Sequence, residues 1–443
     1  MKINLPLDVS EIIRELEKCG FEGFAVGGCV RDSILGRTPD DWDITTSAKP
    51  EEIKKIFPRT VDTGIAHGTV TVLWGSGQYE VTTYRIDGVY SDGRHPDSVS
   101  FTANLTEDLK RRDFTVNAMA YNDTVGLVDE FDGMGDIEKK IIRCVGEAGD
   151  RFDEDALRIF RAVRFSSQLG FDIFEDTRKA IKEKVPNLAN VSAERIQTEL
   201  LKLVVSPHPE KIRDCYELGI TGAILPEFDL MMKTPQNSKH HCYSVGEHTI
   251  KVMENVEATR VLRLAALFHD VGKPVKKTTD DKGSDHFYGH PEEGAHMTYR
   301  ILKRLKFDND TISKVKALIK WHDTRPEPNM KSVRRLLSKV GEDLFPELLE
   351  IKRADILGQS DYMREEKLDI LKAYETCYKQ ILKDKQCVKI KDLAINGNDL
   401  IGLGIPKGVE IGHKLSALLD RVIDDPELNK REILISLIAE HKV

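Results

Sequence analysis

Two spacings of apolar residues divide the chain. At 9–19, "VSEIIRELEKC" returns an apolar side chain every three or four positions and predicts an amphipathic helix. The short apolar run "GFAVGG" at 23–28 predicts a strand ending in a glycine turn. The run "TVTVLWGSGQYEVTTYR", 69–85, predicts a β-hairpin with "GSG" as its turn. A polar Gly/Pro/Asp segment comes next at 87–98. From about residue 150 the period changes to 3.6, as in "EDALRIFRAVRFSSQLGF" (154–171) and "SAERIQTELLKLVV" (192–205), each predicting a helix. Pro186, Pro207, Pro209, Pro226 and Pro235 punctuate the segments between 186 and 235. After about 370 amphipathic helix returns, interrupted by the turn-rich "INGNDLIGLGIPKG" at 395–408. The pattern predicts an α+β protein: a mixed α/β head over 1–145, then an all-α remainder.

A chain of 443 residues exceeds what one core supports, so several domains are expected. Hydrophobic residues make up 40% and charged ones 32%, a mixture typical of globular proteins. No apolar run approaches the ~18 residues of a membrane span. The N-terminus lacks a basic start followed by an apolar core, which points away from secretion. The seven cysteines are scattered without a C-x-x-C pair, which argues against a disulfide framework or zinc knuckle and for a reducing cytoplasm. The net charge of −8 does not advertise a nucleic-acid binder, but phosphate contacts need only a local basic track. "DLKRRDF" (108–114) and the arginines of "RIFRAVRF" (158–165) supply such tracks. Each alone reads equally as a solvated helix face.

Chemistry concentrates in two places. In "DDWDITT", 40–46, an extended backbone sets Asp41, Asp43 and Thr45 on one face. Adjacent carboxylates repel unless a cation such as Mg²⁺ lies between them, although a solvated turn is the plain alternative. The preceding "AVGGCVRD" puts Gly27 and Gly28 where backbone N–H groups approach a phosphate, with Arg31 to neutralise it. Glu80 offers a third carboxylate for two-metal phosphoryl transfer, or is simply an exposed strand acid.

Six stretches in order, "GGCVRDSILGRTPDDWDITT", "VTTYR…YSDGRHPDSVSF", "DLKRRDFTVNAMAY", "DEFDGMGDI", "EDALRIFRAVRFSSQLGF" and "SAERIQTEL", together resemble the class II (bacterial-type) CCA-adding tRNA nucleotidyltransferase / poly(A) polymerase family. The resemblance covers roughly residues 21–205. It implies a DNA polymerase beta-type nucleotidyltransferase head followed by helical neck, body and tail. It further implies that Asp41 and Asp43 bind the catalytic metals, with Glu80 beside them. Gly27, Gly28 and Arg31 would then serve the triphosphate, and Arg111, Arg112, Asp113 and Asn117 the ribose and phosphates. Glu154, Asp155 and Arg158, with Arg161 a turn on, match the family's nucleotide-selecting element. Asp155 and Arg158, i and i+3 on one helix face, could pair with the edge of a base, or merely with each other. The segment 87–100 matches a loop of CCA-adding members associated with switching from C to A addition.

The second place is rich in histidine: eight of the 13 lie between residues 240 and 322. "LAALFHDVGKP" (264–274) is an apolar helix ending in His-Asp, and burying such a pair is costly unless it is paired or metal-bound. With "HCYSVGEHTI", "GHPEEGAH", "IKWHD" and "KRADILG", it resembles the HD superfamily of metal-dependent phosphohydrolases. The resemblance implies His248, His269, Asp270 and Asp355 as primary ligands, with His290 and His322 serving a second metal. Mn, Fe, Ni or Zn suits such a set. His240, His241, His286 and His296 are read as structural or surface residues. The module either hydrolyses phosphoesters, such as 2′,3′-cyclic phosphates or damaged 3′-ends, or is a scaffold. The stretch from 389 resembles the tail of bacterial CCA-adding enzymes, which holds the tRNA elbow; a plain helical packing domain is the alternative.

The resulting map is a head at 1–145, neck and body at 146–238, an HD domain at 239–370 and a tail at 371–443. The leading expectation is addition of CCA to tRNA from CTP and ATP. A poly(A) polymerase or A-only enzyme, an HD phosphohydrolase with an RNA-binding head, and a non-catalytic RNA-binding regulator are the alternatives.

Overall fold

A mixed seven-stranded sheet organises the first part of the chain. The structure, a computed structural model, describes residues 2–88 and 98–440. Its strands are β1 (Gly23–Val26), β2 (Ile44–Thr46), β3 (Thr60–Gly64), β4 (Thr69–Trp74), β5 (Gly77–Thr83), β8 (Ala120–Asn122) and β9 (Gly126–Val128), while β6 (Arg85–Asp87) and β7 (Val99–Phe101) form a separate ribbon. The sheet order is β3-β4-β5-β2-β1-β8-β9, with β2 and β5 parallel and the other neighbours antiparallel. β4 and β5 are the expected hairpin: Trp74 pairs with Gly77 and Gly75 turns with φ 55°. The ribbon β6–β7 carries the two ends of the expected C-to-A loop at 87–100, whose residues 89–97 lie outside the described residues.

Helices α1 (Leu7–Lys18), α2 (Gly28–Ile34), α3 (Pro50–Ile56), α4 (Leu105–Lys110) and α5 (Gly133–Lys139) accompany the sheet. α1 buries Val9, Ile12, Ile13 and Leu16, each worth about 1.5–3 kcal/mol. It lies so close to β1 that a Cβ on Gly23 would come 3.1 Å from Leu16 Cδ1. Phe24, Val26, Tyr84, Leu109, Ala118 and Ala120 form a core beneath the site.

After the sheet come α6 (Ala148–Glu154), α7 (Leu157–Leu169), α8 (Glu175–Lys184) and α9 (Ala193–Val204), with α7 packed on α9. By contact density the chain divides into Met1–Pro226 and Glu227–Val443. The second unit is almost wholly helical. Helices Val245–Glu254, Arg260–Phe268, His290–Arg304, Asn309–Trp321 and Phe345–Gly358 surround the histidine cluster. A satellite core of Leu400, Leu418, Val422 and Leu434 holds the last helices together.

Two local expectations change. The strand at 40–46 begins only at Ile44, because β1 ends at Val26 and Gly27 turns away with φ 82°; the Val26 N–H to Asp43 O bond (3.0 Å) is the last rung. The helix expected through 154–171 is broken. Asp155 is extended (φ −147°, ψ 103°) between α6 and α7, and its carboxylate accepts the Leu157 N–H at 3.1 Å, capping α7.

Candidate active sites

In the head, register brings the acids together. The parallel pair Ile44↔Val81 sets Asp43, just before β2, beside Glu80, midway along β5. Asp43 still reaches solvent, but surrounding protein strips much of its hydration, and the charges of Asp41 and Glu80 oppose its ionisation. Against the pull of Arg112, its carboxyl is pushed up to about 6. A carboxylate whose ionisation two neighbouring acids oppose gains from a divalent cation, so the chemistry of this donor set fits one.

Gly27 cannot be another residue without disturbance. Its φ is positive, and a Cβ there would sit 2.8 Å from Arg112 Nη1. Arg31, nearly buried, donates from Nε and Nη2 to Asp32 (3.0 and 2.8 Å) and from Nη1 to Asn117 Oδ1 (2.5 Å). Asn117 Nδ2 donates to Asp113 Oδ1 at 3.1 Å, and Arg161 donates to Asp113 Oδ2 from Nε and Nη2 at 3.0 and 2.5 Å. Burial opposes a charge on Asp113, yet Arg161 and Asn117 hold its carboxyl well below the usual range. A continuous polar chain therefore runs from the glycine turn to α7. Arg111 donates from Nε and Nη2 to the fully buried Asp108 (2.9 and 2.7 Å), which also accepts from Thr45 Oγ1 at 3.1 Å.

The expected base-reading residues do not share a helix face. Asp155 is gripped by Arg195, Nη1 and Nη2 at 3.1 and 2.7 Å, while Arg158 Nη1 lies 2.5 Å from Glu154 Oε2. The shared helix face expected of Asp155 and Arg158 fails because Asp155 sits at the helix break, and with it goes the alternative of a plain ion pair between them. The Asp155 carboxylate faces α9 instead.

In the second unit six expected side chains converge. Nε2 of His248 lies 3.3 Å from Nε2 of His269, and Nε2 of His290 lies 3.4 Å from that of His322. Each of the four rings has its Nδ1 against a backbone carbonyl: Gly358 (3.1 Å), Ala266 (2.8 Å), Phe287 (2.9 Å) and Ile319 (2.7 Å). That bond places the proton on Nδ1, so four Nε2 lone pairs face one another. Facing lone pairs in a buried site repel unless a cation sits among them, which is the chemistry of a metal-ligand set. The donor atoms of His248, His269 and Asp270 lie within 4.8 Å of one another, as do those of Asp270, His290 and His322. Asp270 thus belongs to both groups, Oδ2 3.2 Å from His269 Nε2 and Oδ1 3.3 Å from His290 Nε2, rather than to the primary set alone. Asp355 Oδ1 stands 2.9 Å from His248 Nε2. Burial works against ionised Asp270, but Lys273, 2.7 Å away, favours the carboxylate.

A cavity of about 570 Å³ opens above the cluster, lined among others by His241, Lys273, Arg325 and Gln359. None of these stood out in the sequence. Lys273 Nζ is 2.7 Å from Asp270, and Gln359 Nε2 donates to both Asp355 oxygens at 3.0 Å. His241, set aside as structural or surface, has its ring 5.1 Å from that of His248; burial first, then Lys273, pushes its pKa down to about 3.

Three family models match the chain: "Poly A polymerase head domain" over residues 23–143, "Probable RNA and SrmB- binding site of polymerase A" over 170–232, and "HD domain" over 239–358. The CCA-adding enzyme of Lactobacillus delbrueckii subsp. bulgaricus is 54% identical over 194 residues, 44% of this chain and 49% of that one, so the chain spans about half the length of that relative. The CCA-adding enzyme of Lactiplantibacillus plantarum is 34% identical over 435 residues, 97% of this chain and 96% of that one. The chain belongs to the CCA-adding enzyme family. A crystal structure of the Bacillus stearothermophilus CCA-adding enzyme in complex with CTP matches at TM-score 0.73 and 30% identity, over 98% of this chain and 97% of that chain.

Membership in the CCA-adding family places the chain among nucleotidyltransferases and accounts for the α+β architecture, with an HD domain inside it. Both kinds of domain are typically metal-dependent. No helix among the described residues is long and apolar enough to cross a membrane. Motif reasoning overlooked Asp108, Arg195 and Glu199, although all three lie inside the quoted motifs. The signal that could have found them is a carboxylate or guanidinium on the apolar face of a helix pattern, where a charge must be paired.

Proposed function

We propose that the chain completes tRNA 3′ ends, adding C, C and A from CTP and ATP with release of pyrophosphate. The tRNA 3′-oxygen bonds to the α-phosphorus as the bond to the bridging oxygen of pyrophosphate breaks. Asp41 and Asp43, with Glu80 adjoining, hold Mg²⁺. The bound cation supplies positive charge to the attacking and leaving oxygens. Gly27 and Gly28 bring backbone close to the triphosphate and Arg31 neutralises it. Arg111 and Arg112 meet phosphate, while Asp113 and Asn117 orient Arg161, Arg31 and the ribose. Glu154, Asp155, Arg158 and Arg161 read the base in place of a template strand.

The observation that supports this most is the contact chain Arg31–Asn117–Asp113–Arg161, which joins the glycine turn beside the acids to the neck helix. The head at 1–145, the neck and body at 146–238, the HD domain at 239–370 and the tRNA-holding tail at 371–443 divide the work, in the cytoplasm. The test uses tRNA transcripts ending before CCA, after C and after CC, incubated with Mg²⁺, CTP and ATP. All three should stop at CCA. One A on the CC-ending tRNA alone identifies an A-adding enzyme, long A tracts a poly(A) polymerase, and no extension refutes the reading.

The facing Nε2 atoms favour a second activity, phosphoester hydrolysis at the HD site. His248, His269, Asp270, His290, His322 and Asp355 there hold Mn, Fe, Ni or Zn. Release of phosphate from model phosphoesters, lost in His269→Ala while tRNA extension persists, tests it.

A further inference from the structure

One aromatic ring gathers three arginines. Phe165 of α7 is 5% exposed, and the guanidinium carbon of Arg164 lies 3.4 Å from its ring centroid, with those of Arg31 and Arg161 each at 5.2 Å. Phe114 meets the same ring edge-on, centroids 5.6 Å apart at 77°. Three cations this close repel, and three carboxylates offset them: Asp32 on Arg31, Asp113 on Arg161 and Glu199 on Arg164 at 2.8 Å. Those carboxylates come from separate elements. Asp32 and Asp113 each aim one guanidinium and Glu199 lies between Arg164 and Arg161, but none of these direct ion pairs spans Arg31 and Arg161. Asn117 and Asp113 connect the two only through a relay, whereas Phe165 touches both.

We infer that Phe165 is a positioning residue for the incoming nucleotide. Its π face attracts guanidinium groups and fixes Arg31, which serves the triphosphate, at a set distance from Arg161, which lies toward the base. The inference rests on the roles given to those arginines under the proposed function. Two long side chains fixed before the nucleotide arrives need not be ordered by it, so the ring acts on nucleotide binding. A buried ring covered by arginines acts through them and not on the reacting atoms or tRNA. Its loss therefore raises KM for CTP and ATP, leaves kcat within about twofold, and leaves KM for tRNA unchanged.

The test separates the ring's electrons from its volume. Phe165→Leu keeps the site apolar and nearly filled, and should raise KM for both nucleotides roughly five- to thirtyfold, the reach of one or two buried cation–π contacts. Mono-, di- and trifluorophenylalanine placed at position 165 keep the ring's shape and progressively weaken its face. KM should climb with each fluorine, while the melting temperature falls by no more than the few degrees that the weakened contacts are worth. A flat KM across the fluorinated series, or a fall in kcat that matches the rise in KM, overturns the inference and leaves the ring as packing. If the wild-type chain fails to extend tRNA, the functional reading falls by itself. Equilibrium dialysis of CTP against the same series then decides Phe165, a rise in Kd with fluorine upholding it and a flat Kd overturning it.

Discussion

Removing Asp270 should empty two metal positions at once, whereas removing His290 or His269 should empty one. The donor groups His248/His269/Asp270 and Asp270/His290/His322 share only that carboxylate. A cation at 100 times its Kd stabilises the native state by about 2.7 kcal/mol. For a unit of the length Glu227–Val443, each kcal/mol is worth about 2–4 °C, so each filled position should raise the melting temperature of that unit by roughly 5–10 °C. Asp270→Asn preserves shape but leaves Lys273, 2.7 Å away, without its anion, and so lowers the metal-free melting temperature by itself. The quantity to compare is accordingly the shift on adding Mn²⁺ or Zn²⁺ to chelator-stripped protein, together with bound metal counted by mass spectrometry. In an Asp41→Ala/Asp43→Ala background, which removes the metal ligands of the head, the intact histidine set should hold two equivalents, His290→Ala and His269→Ala one, and Asp270→Asn none, with no metal-induced shift. An Asp270→Asn protein that retains one equivalent at wild-type affinity would refute the sharing of that carboxylate. Stripped wild type that melts unchanged on adding either metal would refute the metal site itself.

Three further expectations turn on single residues. Gly27→Ala forces a Cβ into the left-handed region and against Arg112, and should cost about 1–2 kcal/mol of stability and most nucleotide affinity, read by denaturation and by KM for CTP. Asp113 is held below its unfolded pKa, so its contribution is complete above about pH 4 and lost as pH falls through the folded value. Asp113→Asn should therefore melt below wild type by a gap of about 3 kcal/mol that is constant from pH 7 to 5 and narrows below pH 4; a gap that widens in acid contradicts the assignment. Alkylation at pH 8 should label the exposed Cys19 and Cys242 first and spare Cys29 and Cys144, whose thiols burial pushes up to about 11 and about 12, as peptide mass mapping would show.

Where the sequence was legible, chemistry was packed into short runs. "GGCVRD", "DDWD" and "RRDF" each put the reactive side chains and the turn that presents them within a few residues. The hairpin at 69–85 carried its own turn. The break at Asp155 was hidden because the apolar period of "EDALRIFRAVRF" passes through it without interruption. What stops the helix is Asp155 capping Leu157, and Arg195, forty residues away in α9, then grips the same carboxylate. In the HD module the order of histidines announced a metal set, but which carboxylate is shared depends on how four helices meet. His241 was passed over for the same reason, since its place beside His248 is set by tertiary packing.

The buried carboxylates were hardest to see, because Asp108 sits in a charge run that reads as solvated helix and Glu199 in an ordinary amphipathic helix pattern. The structure gives Asp108 a task that it shares with Asp32 and Asp113. In Arg31, Arg111 and Arg161 alike, the Nε/Nη2 edge is occupied by a carboxylate: Asp32, Asp108 and Asp113. A guanidinium gripped along that edge keeps its charge and points Nη1 in a fixed direction, toward Asn117 in Arg31, Asp87 at 3.7 Å in Arg111 and Glu199 at 3.9 Å in Arg161. A lysine cannot reproduce this, having one rotating ammonium in place of a planar fork. Arg161→Lys should thus keep the Asp113 ion pair and the fold, while losing nucleotide affinity about as severely as Arg161→Ala. Charge alone would predict rescue by lysine. A wild-type KM for CTP in Arg161→Lys would show that the positive charge, and not the fork held by Asp113, is what the nucleotide meets.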